Sequence, residues 1–161
     1  MEIDKNIFGR IKKEAENNYR KIGSIYCPYL KDDVSFNNKG LDHIKLKEWD
    51  KARLLSDQYL RLKFLKLVPL IIKDSHTLQE YSEQRRLERQ KINSRWEKRL
   101  VTVRYYGFVA IVKEIKIKVI VKEIEGGKPF FWSVIPFWKR EKDPLLRQTK
   151  KVFCDGDLEN Q

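Results

Sequence analysis

The sequence predicts an α+β fold in which N-terminal helices pack on a C-terminal antiparallel β-sheet of about three to four strands. In the first half of the chain, apolar residues recur at helical spacing, most clearly between Leu54 and Leu65. In the second half, apolar residues alternate with charged ones, as in the segment Ile115–Ile124, and this alternation is typical of strands. Helices followed by a run of antiparallel strands define the α+β class.

The length predicts one domain over residues 1–161, because domains run roughly 100–200 residues. Basic residues outnumber acidic ones in its middle section, which we interpret as a connection between the two halves. The predicted parts are an N-terminal helical extension (1–33), a helical half (34–81), the basic connection (82–99), the antiparallel sheet (100–138) and a tail (139–161).

Two turn signals define the predicted sheet. Lys113–Glu114 separates two strand-like runs, and Gly126–Gly127 predicts a hairpin, because its turn needs positive φ. With a two-residue turn there, Lys122 faces Phe131 across the hairpin. One face then carries Lys118, Ile120, Lys122, Phe131, Ser133 and Ile135. Amines, a hydroxyl and an aromatic ring suit a phosphate backbone with a stacked base, although lysines also line ordinary solvent-facing strands.

The charge balance indicates a polyanionic partner. Lys and Arg total 35 against 23 Asp and Glu, a formal charge of +12, which favours RNA, DNA or an acidic protein surface. No apolar run approaches the ~20 residues that span a bilayer, and the N-terminus has no secretory pattern. We therefore expect a cytoplasmic protein with no membrane partner and with Cys27 and Cys154 reduced.

His43 is the leading candidate for acid–base chemistry. It lies in a helix that Asn37–Asn38 is predicted to cap, beside the apolar residues Leu41 and Ile44. Nearby lysines lower the pKa of such a histidine and favour the neutral imidazole, which can act as a base. The alternative is a histidine with a surface or capping role. Because the chain has no Gly-rich phosphate loop, GxSxG, CxxC or HExxH motif, we expect neither cofactor nor metal.

Three segments resemble, in their order, the small nucleases and toxins of the BECR fold. This group includes barnase, EndoU, colicin tRNases and RelE-like toxins, and the resemblance is strongest to its phage- and mobile-element-encoded members. The segments are Val34–Ser35–Phe36, Lys39–Gly40–Leu41–Asp42–His43 and Phe131–Trp132–Ser133–Val134. The resemblance implies a metal-independent endoribonuclease, typically a toxin restrained by an acidic antitoxin or immunity protein.

The resemblance also implies roles for individual residues. His43 matches the general acid or base, Ser133 the hydroxyl that bonds a phosphate oxygen, and Lys118 or Lys122 the cation on the sheet. The residues expected to contact RNA around them are Lys39, Lys45, Arg53, Tyr106 and Phe131. Two other functions stay open: a non-catalytic nucleic-acid-binding protein that uses the same basic face, and a basic protein-interaction module.

Overall fold

The computed structural model describes residues 4–47, 51–137 and 158–159. Its helices are α1 (Lys5–Ile22), α2 (Asn38–Lys45), α3 (Leu55–Phe64) and α4 (Val68–Lys73), with a 3-10 turn at Leu65–Leu67. Its strands are β1 (Ser24–Cys27), β2 (Asp32–Ser35), β3 (Leu46–Lys47), β4 (Lys51–Ala52), β5 (Glu80–Ile92), β6 (Arg95–Val112), β7 (Ile115–Ile124) and β8 (Phe130–Phe137). None of the helices in these ranges is long and apolar enough to cross a membrane.

The main sheet confirms the α+β class but is wider than predicted. Within the described residues it has six strands, in the order β1-β2-β8-β7-β6-β5, and β3 pairs with β4 in a separate ribbon. The expected antiparallel C-terminal strands are present as β5 to β8, but the sheet is not purely C-terminal, because β1 and β2 from the N-terminal half join it. It is also mixed, since β2 runs parallel to β8 through the pair Ser35↔Phe130, whereas the other neighbours are antiparallel.

Helix α2 begins where the sequence predicts. The Asn37 side chain accepts a hydrogen bond from the Gly40 N–H at 3.3 Å and so caps the helix. Gly40 also sets how closely the helix approaches the sheet, because a Cβ there would lie 2.2 Å from the carbonyl oxygen of Phe131. This close approach brings the last turn of α2, which contains His43, against strand β8.

Residues 82–99 form part of a long hairpin rather than the predicted connection. Strands β5 and β6 pair along their facing lengths and turn at Asn93 and Ser94, both at positive φ. Strand β7 pairs with β6 only as far as Val103, so the hairpin extends beyond it as a two-stranded arm. All residues of 82–99 are exposed or half-buried, which explains why the apolar alternation of a one-sided strand is missing. The turn predicted at Lys113–Glu114 is confirmed, again with positive φ at both residues.

A β-bulge in β8 changes the predicted register of the last hairpin. The predicted pairing of Ser133 with Ile120 is confirmed, but Phe131 pairs with Val121, which leaves Trp132 as an extra residue on β8. An extra residue bends its strand and re-aims the neighbouring side chains. The bulge therefore decides which β8 side chains reach the helices.

The bulge exchanges aromatic side chains between the two faces of the sheet. Lys122 pairs with Phe130, not with Phe131 as predicted. Phe131 is fully buried on the helix side, where its ring stacks on Phe36 with centroids 5.4 Å apart. The expectation that Phe131 stacks an RNA base is therefore wrong, and Trp132 occupies the opposite face.

Each face of the sheet carries its own apolar cluster. The helix-side cluster joins all four helices described above to the sheet through residues such as Tyr19 and Phe108. The cluster on the opposite face consists of Val101, Val103, Tyr105, Ile120, Ile124, Phe130 and Leu158. Leu158, in the segment predicted as a tail, is fully buried there.

Candidate functional site

The candidate site forms where the end of α2 meets the bulge in β8. The rings of His43 and Trp132 stack with their centroids 4.1 Å apart and an interplanar angle of 19°. Two local features bring them together. Gly40 allows α2 to lie directly on β8, and the bulge re-aims the Trp132 side chain.

Two buried arginines lie beside His43 and share one carboxylate. Arg53 donates from Nε to the backbone oxygen of His43 at 3.0 Å. Asp57 bridges the arginines, with Oδ2 3.3 Å from Arg53 Nη1 and Oδ1 2.9 Å from Arg61 Nε. Asp57 and Arg61 lie four residues apart on one face of α3, and Arg53 reaches Asp57 from the segment just before that helix. Arg61 in turn donates from Nη1 to the Ser133 hydroxyl at 2.6 Å.

This arrangement fixes the protonation of His43. Its Nε2 lies 3.2 Å from Arg53 Nη2, and because a guanidinium only donates, Nε2 accepts. Burial, and then the positive charges of Arg53, Arg61 and Lys122, lower the pKa of His43 to about 3. In the free protein His43 is therefore neutral near pH 7, with its proton on Nδ1.

Lys122 completes the cluster from strand β7. Its Nζ lies 4.1 Å from the centroid of the Trp132 ring, a cation–π contact. The same nitrogen lies 3.0 Å from Glu88 Oε1 and 3.4 Å from Glu159 Oε2. Burial lowers the pKa of Lys122, and the Glu88 carboxylate opposes that shift. Lys122 is thus a desolvated cation that faces a tryptophan already stacked on a histidine.

These side chains line a cleft of about 510 Å³. Its walls carry basic and aromatic residues, among them Lys39, His43, Arg86, Arg89, Lys122 and Trp132, and also the acidic residues Asp42, Glu88 and Glu159. Lys39 lies at its edge, with Nζ 5.6 Å from the centroid of the Phe130 ring. Its positive groups and aromatic surfaces suit a ligand that combines anionic groups with flat rings.

The structure brings together several of the predicted site residues but changes what they can do. His43, Lys39 and Lys122 line the cleft, and Arg53 contacts His43. Ser133 is fully buried and accepts a hydrogen bond from Arg61. The predicted direct bond from its hydroxyl to a phosphate oxygen is therefore not available in this conformation, and Ser133 positions Arg61 instead.

Three predicted residues lie apart from the cleft. Lys118 is buried in an ion pair with Glu80, whose Oε2 lies 2.9 Å from Lys118 Nζ. Lys45 reaches back to Glu16 on α1, with 3.2 Å between Nζ and Oε1. Tyr106 packs against the helix-side cluster. These contacts assign structural rather than RNA-binding roles to Lys118, Lys45 and Tyr106.

Sequence reasoning missed several residues of the site. Arg61 and Asp57 were detectable, since they continue the four-residue spacing that begins at Arg53. Trp132 could not be placed in the site from the sequence, because nothing in the local sequence marks the bulge. Glu88 and Glu159 reach Lys122 from distant parts of the chain, and no local pattern predicts such contacts.

Comparisons of the chain with protein-family models, with curated proteins and with solved structures found no match. In the part of the chain that the structure describes, no group of three or more His, Cys, Asp or Glu side chains is arranged to hold a metal ion. The geometry of the cleft is therefore the feature of the molecule that indicates a function.

Proposed function

We propose that this protein is a metal-independent endoribonuclease that cleaves RNA at the cleft around His43. One observation carries the proposal: a neutral histidine contacts a buried arginine and stacks on a tryptophan that also faces a buried lysine. Such a cluster supplies a proton acceptor and cations within one cleft. The resemblance to BECR nucleases supports the same activity and, with it, the biological role of a toxin held by an acidic partner protein.

The proposed reaction uses the nucleophile that RNA itself carries. His43 accepts the proton of the 2′-OH at Nε2, for which Nε2 exchanges its Arg53 donor for the hydroxyl. The 2′-oxygen attacks phosphorus, the bond to the 5′-oxygen breaks, and a 2′,3′-cyclic phosphate forms. The Lys122 ammonium donates a proton to the leaving 5′-oxygen, a role that its lowered pKa favours. Arg53 and Arg61 are buried and do not line the cleft, so they act on the charge that develops at the phosphate through their electrostatic field rather than by direct contact.

Substrate binding prepares His43 for this step. A general base works best when its pKa lies near the working pH, whereas the pKa of His43 in the free protein is about 3. Part of that shift is Coulombic and comes from Arg53, Arg61 and Lys122. A bound phosphate offsets those positive charges and raises the pKa of His43. The imidazole then becomes a stronger base only when RNA is in place.

A non-catalytic RNA-binding function is the second candidate. Two observations favour it: Ser133 is buried, and the pKa of His43 is low in the free protein. The same cleft binds RNA in both cases, and the two functions differ only in whether the phosphodiester bond breaks.

Cleavage of a fluorescent mixed-sequence RNA in EDTA tests the proposal. The parent is compared with His43→Ala, and His76→Ala is the matched control, because His76 is exposed and does not line this cleft. We expect 2′,3′-cyclic phosphate ends from the parent and from His76→Ala, with a rate at least ~10²-fold lower for His43→Ala. Equal rates for His43→Ala and the parent would refute the role of His43. Salt-sensitive RNA binding without cleavage would instead establish the non-catalytic function.

A further inference from the structure

The C-terminal residues Leu158 and Glu159 occupy part of the cleft. Leu158 is fully buried in the apolar cluster on the cleft side of the sheet. This anchor places the next side chain, Glu159, among the cleft residues. The chain thus brings one of its own carboxylates into a cleft whose other charged residues, within the part of the chain that the structure describes, are four cations, from Lys39, Arg86, Arg89 and Lys122, and two carboxylates, from Asp42 and Glu88.

Among the described residues, every polar contact of Glu159 involves a group that could equally bind a phosphate. Its Oε2 lies 3.4 Å from Lys122 Nζ, and its Oε1 lies 3.5 Å from Arg86 Nη1. The Tyr105 hydroxyl donates to Oε2, and the indole N–H of Trp132 donates to the backbone oxygen of Glu159 at 3.0 Å. Two cations, a hydroxyl and an indole N–H are typical donors to a phosphate group.

The fit of the Glu159 carboxylate to this pocket is poor in electrostatic terms. Burial, with a smaller contribution from the Glu88 carboxylate, raises the pKa of Glu159 to about 7, whereas the Arg86 guanidinium opposes this shift. Desolvation therefore outweighs the attraction of the cations, which weakens the hold of the pocket on the Glu159 carboxylate.

We infer that Arg86, Tyr105, Lys122 and Trp132 form a phosphate-binding subsite next to His43, and that Glu159 occupies this subsite as an internal competitor. The assignment of the phosphate to RNA rests on the proposed function, whereas the subsite itself does not. Binding of RNA then requires Glu159 to leave. The apparent affinity is reduced by the fraction of molecules in which Glu159 is docked.

Full-length point variants test this inference. Glu159→Gln removes the competing charge, and Leu158→Gln removes the apolar anchor. Glu14→Gln, on the exposed face of α1, removes one carboxylate away from the cleft and is the charge-matched control. The probes are inorganic phosphate and a 2′-O-methyl oligoribonucleotide, which has no 2′-OH to attack. Binding is followed by the NMR signal of the Trp132 indole N–H, which is assigned with Trp132→Phe.

We expect Glu159→Gln and Leu158→Gln to bind phosphate on the order of 10-fold more tightly than the parent, which corresponds to a docked fraction of about nine-tenths. Glu14→Gln should match the parent. Lys122→Gln combined with Glu159→Gln should lose the gain. Equal or weaker phosphate binding in both Glu159→Gln and Leu158→Gln would overturn the inference.

The RNA probe separates this inference from the proposed function. Tighter phosphate binding in the variants, with no RNA bound or cleaved by any protein, would support the subsite and refute the ribonuclease. RNA cleavage by the parent, with phosphate affinity unchanged in the variants, would support the ribonuclease and overturn the role of Glu159.

Discussion

Lys118 and Lys122 lie four residues apart on the same face of β7, yet they occupy different kinds of environment. The Lys118 side chain is 6% exposed and pairs with Glu80, which is fully buried. The Lys122 side chain is 4% exposed and lies over Trp132 in the cleft, where Glu88 and Glu159 share it. Equal burial therefore does not mean equal surroundings: the Lys118 ammonium is enclosed with a buried carboxylate, and the Lys122 ammonium lies at the wall of the cleft.

The difference originates on the neighbouring strand. Glu80 on β5 pairs with Gly107 on β6, and a Cβ on Gly107 would lie 2.8 Å from the Cβ of Glu80. The missing side chain leaves room for Glu80 to reach Lys118. The Lys122 ammonium is paired at a comparable distance, but its carboxylates belong to Glu88 and Glu159 at the cleft. The two lysines therefore differ in where their partners lie, and Gly107 favours the pair at Lys118.

The largest expected effect comes from breaking the structural pair. Lys118→Met leaves the Glu80 carboxylate buried without its cation, which typically costs about 3–5 kcal/mol of the free energy of unfolding. Urea denaturation measures this loss. The double variant Glu80→Leu with Lys118→Met removes both charges and should recover most of the stability. If Lys118→Met alone unfolds at the parent's urea concentration, the pair does not stabilise the fold.

Substitution of the second lysine should affect activity more than stability. Lys122→Met removes the proposed proton donor from the cleft, and we expect RNA cleavage to fall roughly 10²–10³-fold. Glu88 and Glu159 keep some access to water, with side chains 17% and 12% exposed, so loss of their partner is less costly than at Glu80. The double variant at Glu80 and Lys118 is the matched control and should cleave RNA as the parent does. A Lys122→Met protein with parental activity would remove Lys122 from the mechanism.

A smaller effect is expected from substitution of Gly107, the glycine against which Glu80 packs. Gly107→Ala places a methyl group against the Cβ of Glu80, and overpacking of this kind typically costs about 1–3 kcal/mol. Thermal unfolding measures the cost. Gly9→Ala is the control without overpacking, because a Cβ on Gly9 meets no atom within 4 Å, and it should stabilise α1 slightly because alanine is the better helix former. A Gly107→Ala protein as stable as the parent would show that Glu80 can move aside at no cost.

Local signals predicted the half of the site that depends on a helix cap and a turn. Asn37 caps α2 as predicted, and this placed His43 in a helix. Lys113–Glu114 forms the predicted turn, which fixed the alternation along β7. Both features depend on residues close together in the chain.

The parts that could not be predicted depend on contacts between distant segments. The bulge at Trp132 has no glycine or proline to mark it, and it is defined only by how β8 pairs with β7. The arm lacks a buried face, so its strands carry no apolar alternation. Glu159 reaches Lys122 across 37 residues. Sequence therefore located the candidate base but not the ring that it stacks on.

The smallest effect, and the most specific test of the two lysines, concerns the titration of His43. Lys122 is one of the charges that lower its pKa to about 3, and Lys118 is not. Because a positive charge disfavours the imidazolium, Lys122→Met should raise the pKa of His43. The double variant at Glu80 and Lys118 should leave that pKa unchanged. NMR titration of the His43 ring, assigned with His43→Gln, measures both.

The same titration carries a consequence for stability. The folded state holds His43 neutral down to about pH 3, whereas the unfolded chain takes up this proton near pH 6.5. The free energy of unfolding should therefore fall as the pH drops from about 6.5 towards 3. His43→Gln should show a weaker fall in the free energy of unfolding over the same pH range.

Added phosphate should raise the pKa of His43 in the parent more than in Lys122→Met, because Lys122 is one of the groups that hold the anion. If phosphate raises the pKa of His43 equally in these two proteins, the bound anion lies away from Lys122, and Lys122 is no more a ligand-binding lysine than Lys118.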